Sequence, residues 1–241
     1  SGTTATPKGV MLTDAAYLRT AAYVARCQGL TPAADFISAG PFFHCSGTMH
    51  ALTVCLLAGC TLDAMSIWDP ETFVDTVALR KSDTAHMIYF RDVLAIATGE
   101  TRARLASLQV AHDLGTAEFL MRIADQLGVT GISNIYGMTE TCSHQYTLPN
   151  DDPKLIVETS GRACPGYEIR IFKSDDPDRE APVGEIGQVG GRGASLMLGY
   201  FDDQTSTEDS FNRDGWFMTG DLGSLDSNGY LRITGRKKDV I

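Results

Sequence analysis

Ser1 to Gly9 gathers hydroxyl side chains, two glycines and one lysine into nine consecutive positions. A polyphosphate needs such a segment: exposed backbone N–H groups, hydroxyl donors, a cation, and glycine to let the chain come close. It is not a Walker A loop, since Pro7 precedes Lys8 where that pattern needs glycine. A second candidate is Tyr136-Gly-Met-Thr-Glu-Thr141. Tyr136 offers an aromatic face for a base, and Gly137 allows backbone approach to a ligand. Thr139 offers a hydroxyl for a phosphate, and Glu140 offers a hard oxygen for Mg²⁺. Out of context, Thr-Glu on a turn is only a helix cap. Thr219-Gly220-Asp221 puts a carboxylate at a glycine turn, where it can accept hydrogen bonds from two vicinal hydroxyls. In isolation it would be a surface aspartate. His44 follows Gly40-Pro-Phe-Phe, and a lone histidine after two phenylalanines is ordinarily a core residue. The basic run Gly235-Arg-Lys-Lys-Asp239 would ordinarily be a solvated tail.

These residues need elements to hold them. Apolar positions recur at helical spacing over 14–29, with Thr13 or Asp14 as N-cap. A short buried strand is expected over 36–39, a helix over 47–58 and a strand over 61–65. A helix over 70–79 and a strand over 85–88 follow, then an amphipathic helix over 117–127 stopped by Gly128. Strands and helices alternating at this pace imply parallel βαβ units. After about residue 160 the texture changes to short runs such as 168–172, 187–189 and 230–233, separated by Gly, Asp and Asn turns. The expected fold is α/β: parallel βαβ layers over 1–160, then a smaller β-rich, distorted barrel-like lobe over 161–241.

A chain of 241 residues can bury a sizeable core. A formal charge of −10 argues against nucleic acid or an anionic membrane as the main partner, although a local field and bound Mg²⁺ still permit ATP. The longest apolar stretch, 52–60, is too short and too broken by Thr53 and Gly59 to span a bilayer. The six cysteines have no C-x-x-C spacing and read as reduced thiols of a cytoplasmic protein.

Taken together and in order, the blocks 1–10, 40–44, 136–141, 216–222 and 235–239 resemble the motif set of the adenylate-forming superfamily. That superfamily holds acyl- and aryl-CoA synthetases, peptide-synthetase adenylation domains and beetle luciferases. The resemblance implies a reaction in which a carboxylate attacks the α-phosphate of ATP, giving an acyl-adenylate and pyrophosphate. It places Ser1, Gly2, Thr3, Thr4 and Lys8 in the phosphate loop, with Thr3, Thr4 and Lys8 along the β/γ-phosphates. Asn134 takes the position that hydrogen-bonds the adenine amino group. Tyr136, Gly137, Met138 and Thr139 surround the nucleotide, with Thr139 and Glu140 catalytic and Glu140 the metal ligand. Asp221 and Arg236 hold the ribose and phosphate. His44 gates the acyl pocket, and Lys238 is the hinge to a mobile C-terminal domain.

Two departures are visible. Ala5 stands where most relatives have Gly, and the adenine wall is the poorest match, with only Gly115 and Ala117 nearby. The resemblance further implies ATP, Mg²⁺, a small-molecule carboxylic acid, and CoA as second substrate. The Pro-Phe-Phe-His block and Gly199-Tyr-Phe-Asp-Asp203 lean toward the CoA ligases, while Asn134-Ile-Tyr-Gly137 also occurs in adenylation domains. Three readings stay open: a CoA ligase, an adenylation domain loading a carrier protein's pantetheine, and a non-catalytic nucleotide-binding relative. Which acid is used and the oligomeric state are not legible. The chain is expected to be a piece of a longer enzyme and inactive alone, because the family's adenylation lysine lies in a C-terminal domain beyond the hinge.

Overall fold

The computed structural model describes residues 7–86, 89–113, 116–148 and 150–239. Ser1, Gly2, Thr3, Thr4, Ala5 and Gly115 lie outside the described residues, as do positions 87–88 of the expected fourth strand. In chain order the strands begin with β1 Val10–Met11, β2 Asp35–Ser38, β3 Thr61–Ala64, β4 Thr84–His86, β5 Val110–Asp113 and β6 Gly131–Tyr136. They continue with β7 Gln145–Tyr146, β8 Arg162–Ala163, β9 Tyr167–Phe172, β10 Gly187–Gly193, β11 Gly199–Tyr200, β12 Phe217–Leu225 and β13 Leu231–Arg236.

Contacts divide the chain into two units. An α/β unit comprises 21–135 and 147–158; a β-rich unit comprises the described residues up to 20, then 136–146 and 159 onward. The division is interleaved in sequence, where the change in texture pointed to one cut at 160.

In the α/β unit, β3, β2, β4, β5 and β6 lie side by side and parallel. One register row, Ile37, Ala85, Ala111 and Ile132, faces the main apolar core with Phe73, Val77, Phe90 and Leu120. Helix Pro70–Arg80 starts where Asp69 accepts a hydrogen bond from Thr72 N at 2.7 Å, with Pro70 supplying a preset φ. The expected helix 47–58 begins at Cys45 and contains a wider π turn over Thr48–Thr53 before resuming as Val54–Ala58. Gly47 is required there: a Cβ would lie 2.4 Å from the carbonyl oxygens of Gly40 and Pro41. The expected helix 117–127 likewise changes pitch, from α over Ala117–Arg122 to π over Ile123–Leu127, and ends at Gly128. Helices Phe90–Ala95, Gly99–Arg104 and Pro153–Glu158 were not anticipated, being too short to show a period.

In the β-rich unit, helix Asp14–Cys27 begins where Thr13 Oγ1 accepts from Ala16 N at 3.0 Å. The barrel-like lobe takes the form of an open antiparallel sheet, β13-β12-β10-β9, with the ribbons β1–β11 and β7–β8. Ile171, Val189 and Leu231 form one small core, and Met197, Tyr200 and Phe217 another. Thr219-Gly220-Asp221 is not a turn: it runs inside β12, with Gly220 at φ 78 and a register shift at Leu222/Gly223. The glycine bends a strand, so the carboxylate is presented from a hydrogen-bonded ladder rather than from a loop.

Candidate nucleotide site

The β-rich unit contains an open cleft of about 600 Å³, lined by Met138, Glu140, Tyr200, Asp221, Arg236 and Lys238 among others. Its floor is fixed by a short chain of contacts. Asp221 and Arg236 are register partners across β12 and β13, and Arg236 Nε lies 3.4 Å from Asp221 Oδ1. Tyr136 Oη donates to Asp221 Oδ2 at 2.7 Å. Burial, then the charge of Asp221, pushes the Tyr136 phenol far above its usual range, so it stays a donor. A carboxylate has about four acceptor sites, so Asp221 keeps capacity for further hydroxyl donors.

Tyr136 is itself braced. Its ring meets His144 edge-on at 5.4 Å, and His144 stacks on Tyr167 at 4.3 Å. Burial keeps His144 neutral, its pKa lowered to about 3. After Tyr136 the backbone folds back on itself: a Cβ on Gly137 would lie 2.1 Å from Ser143 Cα. The room glycine gives at 137 is therefore taken by the protein's own chain. Thr139–Thr141 form one 3₁₀ turn, and Cys142 and Ser143 follow in the left-handed region at φ 55 and φ 54. Two successive non-glycine residues there store strain of the kind found at functional sites.

Glu140 is buried, and Tyr200 Oη donates to its Oε1 at 3.0 Å. Its Oε2 has no hydrogen-bond partner among the described residues. The Tyr200 hydroxyl is pushed up to about 12 by burial and by Glu140, and Lys8 Nζ sits 4.7 Å from the centre of its ring. An unpartnered carboxylate oxygen is a fitting ligand for Mg²⁺, which takes one or two carboxylates and completes its shell with phosphate oxygens and water. No group of three His, Cys, Asp or Glu among the described residues forms a ready-made metal cage.

The β-rich unit thus brings together Lys8, Tyr136 to Glu140, Asp221, Arg236 and Lys238. Lys238 lies in the exposed turn Lys237–Asp239 beside the cleft. Three residues named from sequence belong to the α/β unit. His44 is exposed, not a core residue, and caps its helix by accepting from Ser46 N at 3.1 Å. Ala117 begins a helix capped by Thr116, and Asn134 is buried near the end of β6. Sequence reasoning missed Tyr200 as a partner of Glu140, though it stands in the Gly199–Asp203 segment already singled out, and missed Thr219 and Lys237 in the cleft wall.

With this geometry in view, comparison with known proteins is informative. A family model described as AMP-binding enzyme matches residues 1–201. A methyl-dioxo-octahydro-indenyl-propanoyl:CoA ligase of Rhodococcus jostii is 33% identical over 245 residues, covering all of this chain and 45% of that protein. The medium-chain fatty-acid–CoA ligase of Escherichia coli is 32% identical over 248 residues, covering all of this chain and 43% of that protein. ATP-bound MatB from Rhodopseudomonas palustris superposes with a TM-score of 0.88 at 28% identity, over 100% of this chain and 48% of that one. The chain spans about half the length of the relatives it matches.

Proposed function

Because this chain belongs to the AMP-binding enzymes, we propose that it is the nucleotide-binding part of an AMP-forming carboxylate ligase. A carboxylate oxygen attacks the α-phosphorus of ATP, the bond to the β-phosphate oxygen breaks, and pyrophosphate leaves. The thiol of CoA then attacks the acyl carbon, giving a thioester and AMP. The observation that carries this reading is the charge arrangement of the cleft. Asp221, held by Tyr136 and Arg236, and Glu140, with one buried oxygen to spare, lie in one cleft edged by Lys237 and Lys238.

The residues act by position and charge. Asp221 accepts from the two ribose hydroxyls, and Arg236 neutralises it and reaches for phosphate. Thr139, at the start of the strained turn, donates to the α-phosphate, and Lys8 screens the outer phosphates. No general base is needed, since a carboxylic acid is already ionised at neutral pH. Glu140 Oε2 would hold Mg²⁺, which supplies charge neutralisation at the phosphates. Asn134 and Met138 serve the adenine, His44 gates the acyl side, and Lys238 is the pivot between the two half-reactions.

CoA is favoured as acceptor by the two ligases above. The six cysteines lack C-x-x-C spacing and fit a cytoplasmic protein, and no helix among the described residues is long and apolar enough to cross a membrane. The test is acid-dependent exchange of pyrophosphate into ATP by the complete gene product, across aliphatic, aryl and amino acids. Exchange with none of them overturns the reading. Adenylation followed by transfer only to a carrier protein would move it to the other branch.

A further inference from the structure

A polar row in the α/β unit has no part in the chemistry above. In parallel register, Ser38, His86, His112 and Ser133 stand side by side on β2, β4, β5 and β6. The preceding row, Ile37, Ala85, Ala111 and Ile132, faces the apolar core, so the two-residue period of a strand puts the polar row on the other face. Among the described residues His86 is the last of β4, and His112 the last but one of β5. The row thus lies toward the carboxyl side of β2, β4 and β5 as described, while Ser133 stands midway along β6; open α/β sheets take their ligands beyond the carboxyl ends of their strands.

His50, carried by the π turn Thr48–Thr53, stacks on His86 with ring centres 5.2 Å apart, and His112 is 6.0 Å beyond. His86 and His112 are each 1% exposed, and both ring nitrogens of each have no hydrogen-bond partner among the described residues. The serines are satisfied: Ser38 Oγ donates to the His86 carbonyl at 3.0 Å, and Ser133 Oγ to that of Thr147 at 2.8 Å. His144, the brace of Tyr136, is likewise buried without hydrogen-bond partners among the described residues, so one such ring is no signal; two of them side by side, His86 and His112, are more than packing needs. A leucine or phenylalanine would fill the space without stranding polar atoms that water would otherwise bond. A metal does not account for them either, because His50 stacks on His86, His112 lies tilted 6.0 Å from it, and no three-residue ligand group occurs among the described residues.

Burial holds these rings neutral, lowering His50 to about 4, His112 to about 3 and His86 well below its usual value. A neutral imidazole offers one donor and one acceptor. That pairing matches an uncharged oxygen function, keto or hydroxyl, better than a second carboxylate, whose charge would be buried without a counter-ion.

We propose that His86 and His112, with His50 stacked against them, form a specificity wall for the acid. The acid is one bearing a keto or hydroxyl group remote from its carboxylate, rather than a plain alkyl chain. The assignment of this wall to the acid rests on the ligase reading above. The test compares straight-chain alkanoic acids with the same acids carrying a distal keto or hydroxyl group, using the complete gene product. The oxygenated acid is expected to win by about tenfold or more in kcat/KM, since a site built to bond a polar group rejects the analogue lacking it. His86→Leu and His112→Leu should each erase that preference and leave the KM for ATP unchanged, while His86→Gln keeps part of it. A wild-type preference for the alkyl acid overturns the proposal even if the leucine variants fail to fold, and so do folded variants that keep the preference. Calorimetry with the oxygenated acid, with and without AMP, separates the two readings. Binding that His86→Leu abolishes, without adenylation of any acid, sinks the ligase and leaves the wall. No binding under either condition, or adenylation without preference, sinks the wall.

Discussion

The cleft of the β-rich unit and the histidine row of the α/β unit handle polarity in opposite ways. In the cleft the polar groups are buried carboxylates set beside cations and phenols: Asp221 is held by Tyr136 and Arg236, and Glu140 Oε1 by Tyr200, with only Glu140 Oε2 left open. In the row they are neutral, sealed from water and left without partners at His86 and His112. On the readings proposed above, the difference follows from what each would bind. On the ligase reading, a triphosphate arrives with charge and metal, so the groups that take it can themselves be ionic. An uncharged oxygen on an organic acid gives up little unless its partners are dry and pre-placed. On the two proposals together, charge would serve affinity in one unit, and unsatisfied neutrality discrimination in the other.

The comparison is broken most directly at Glu140. Glu140→Ala in the complete gene product should cut the adenylation rate by about 10²–10³, the usual cost of one key electrostatic group. The measurement is single-turnover acyl-adenylate formation at saturating ATP. Near-normal formation would take the metal role from Glu140 and leave its buried, partnerless oxygen unexplained. Asp221→Ala comes next. It should weaken ATP by about 2–4 kcal/mol if both hydroxyl contacts are lost, with the KM for the acid little changed. It also takes the Asp221 acceptor from the half-buried Tyr136 hydroxyl, so the double variant with Tyr136→Phe should be more stable to urea than Asp221→Ala alone. A rise in the acid's KM with ATP untouched would put Asp221 in the wrong pocket.

Smaller, and specific to the α/β unit, is a pH effect on stability. His50 and His112 have folded pKa values lowered to about 4 and about 3, against about 6.5 when unfolded. The unfolded chain therefore binds more protons as pH falls below 6.5, and stability is lost from there down toward the folded values. From pH 7 to pH 5 each such histidine should cost about 2 kcal/mol, provided the fold persists. Replacing His112 by Phe should flatten the slope of urea midpoint against pH. An unchanged slope would mean that the ring is already solvated in the native state.

Much of this was legible in the residues. The blocks around Tyr136, Asp221 and Arg236 pointed to side chains that the β-rich unit does bring together, because each block is contiguous and its chemistry is local. Strands β2, β3 and β9 were readable because apolar runs between turn residues survive in one dimension. Thr219-Gly220-Asp221 was misread as a turn, since glycine before aspartate signals a turn unless a neighbouring strand pairs with it. The histidine row was invisible for a stronger reason. His50, His86 and His112 are 36 and 26 residues apart, and only parallel register makes them neighbours. Tyr200 was seen but not understood, because its link to Glu140 crosses 60 residues of chain.

That link supplies the smallest and most discriminating prediction. Tyr200→Phe removes one hydroxyl and keeps the ring against which Lys8 rests. With its pKa pushed up to about 12, the Tyr200 hydroxyl is protonated at any working pH and always donates to Glu140 Oε1. Its loss frees the carboxylate to rotate, so the cost should fall on metal capture rather than on binding of the acid. The expectation is a drop of about tenfold in adenylation at limiting Mg²⁺, equivalent to one modest hydrogen bond, with most of it recovered at saturating Mg²⁺. Tyr200→Ala, which also takes away the ring beneath Lys8, should not be recovered in this way. If Tyr200→Phe matches the wild type at every Mg²⁺ concentration while Glu140→Ala is inactive, the hydroxyl does not position Glu140, and the carboxylate must be oriented by its own 3₁₀ turn alone.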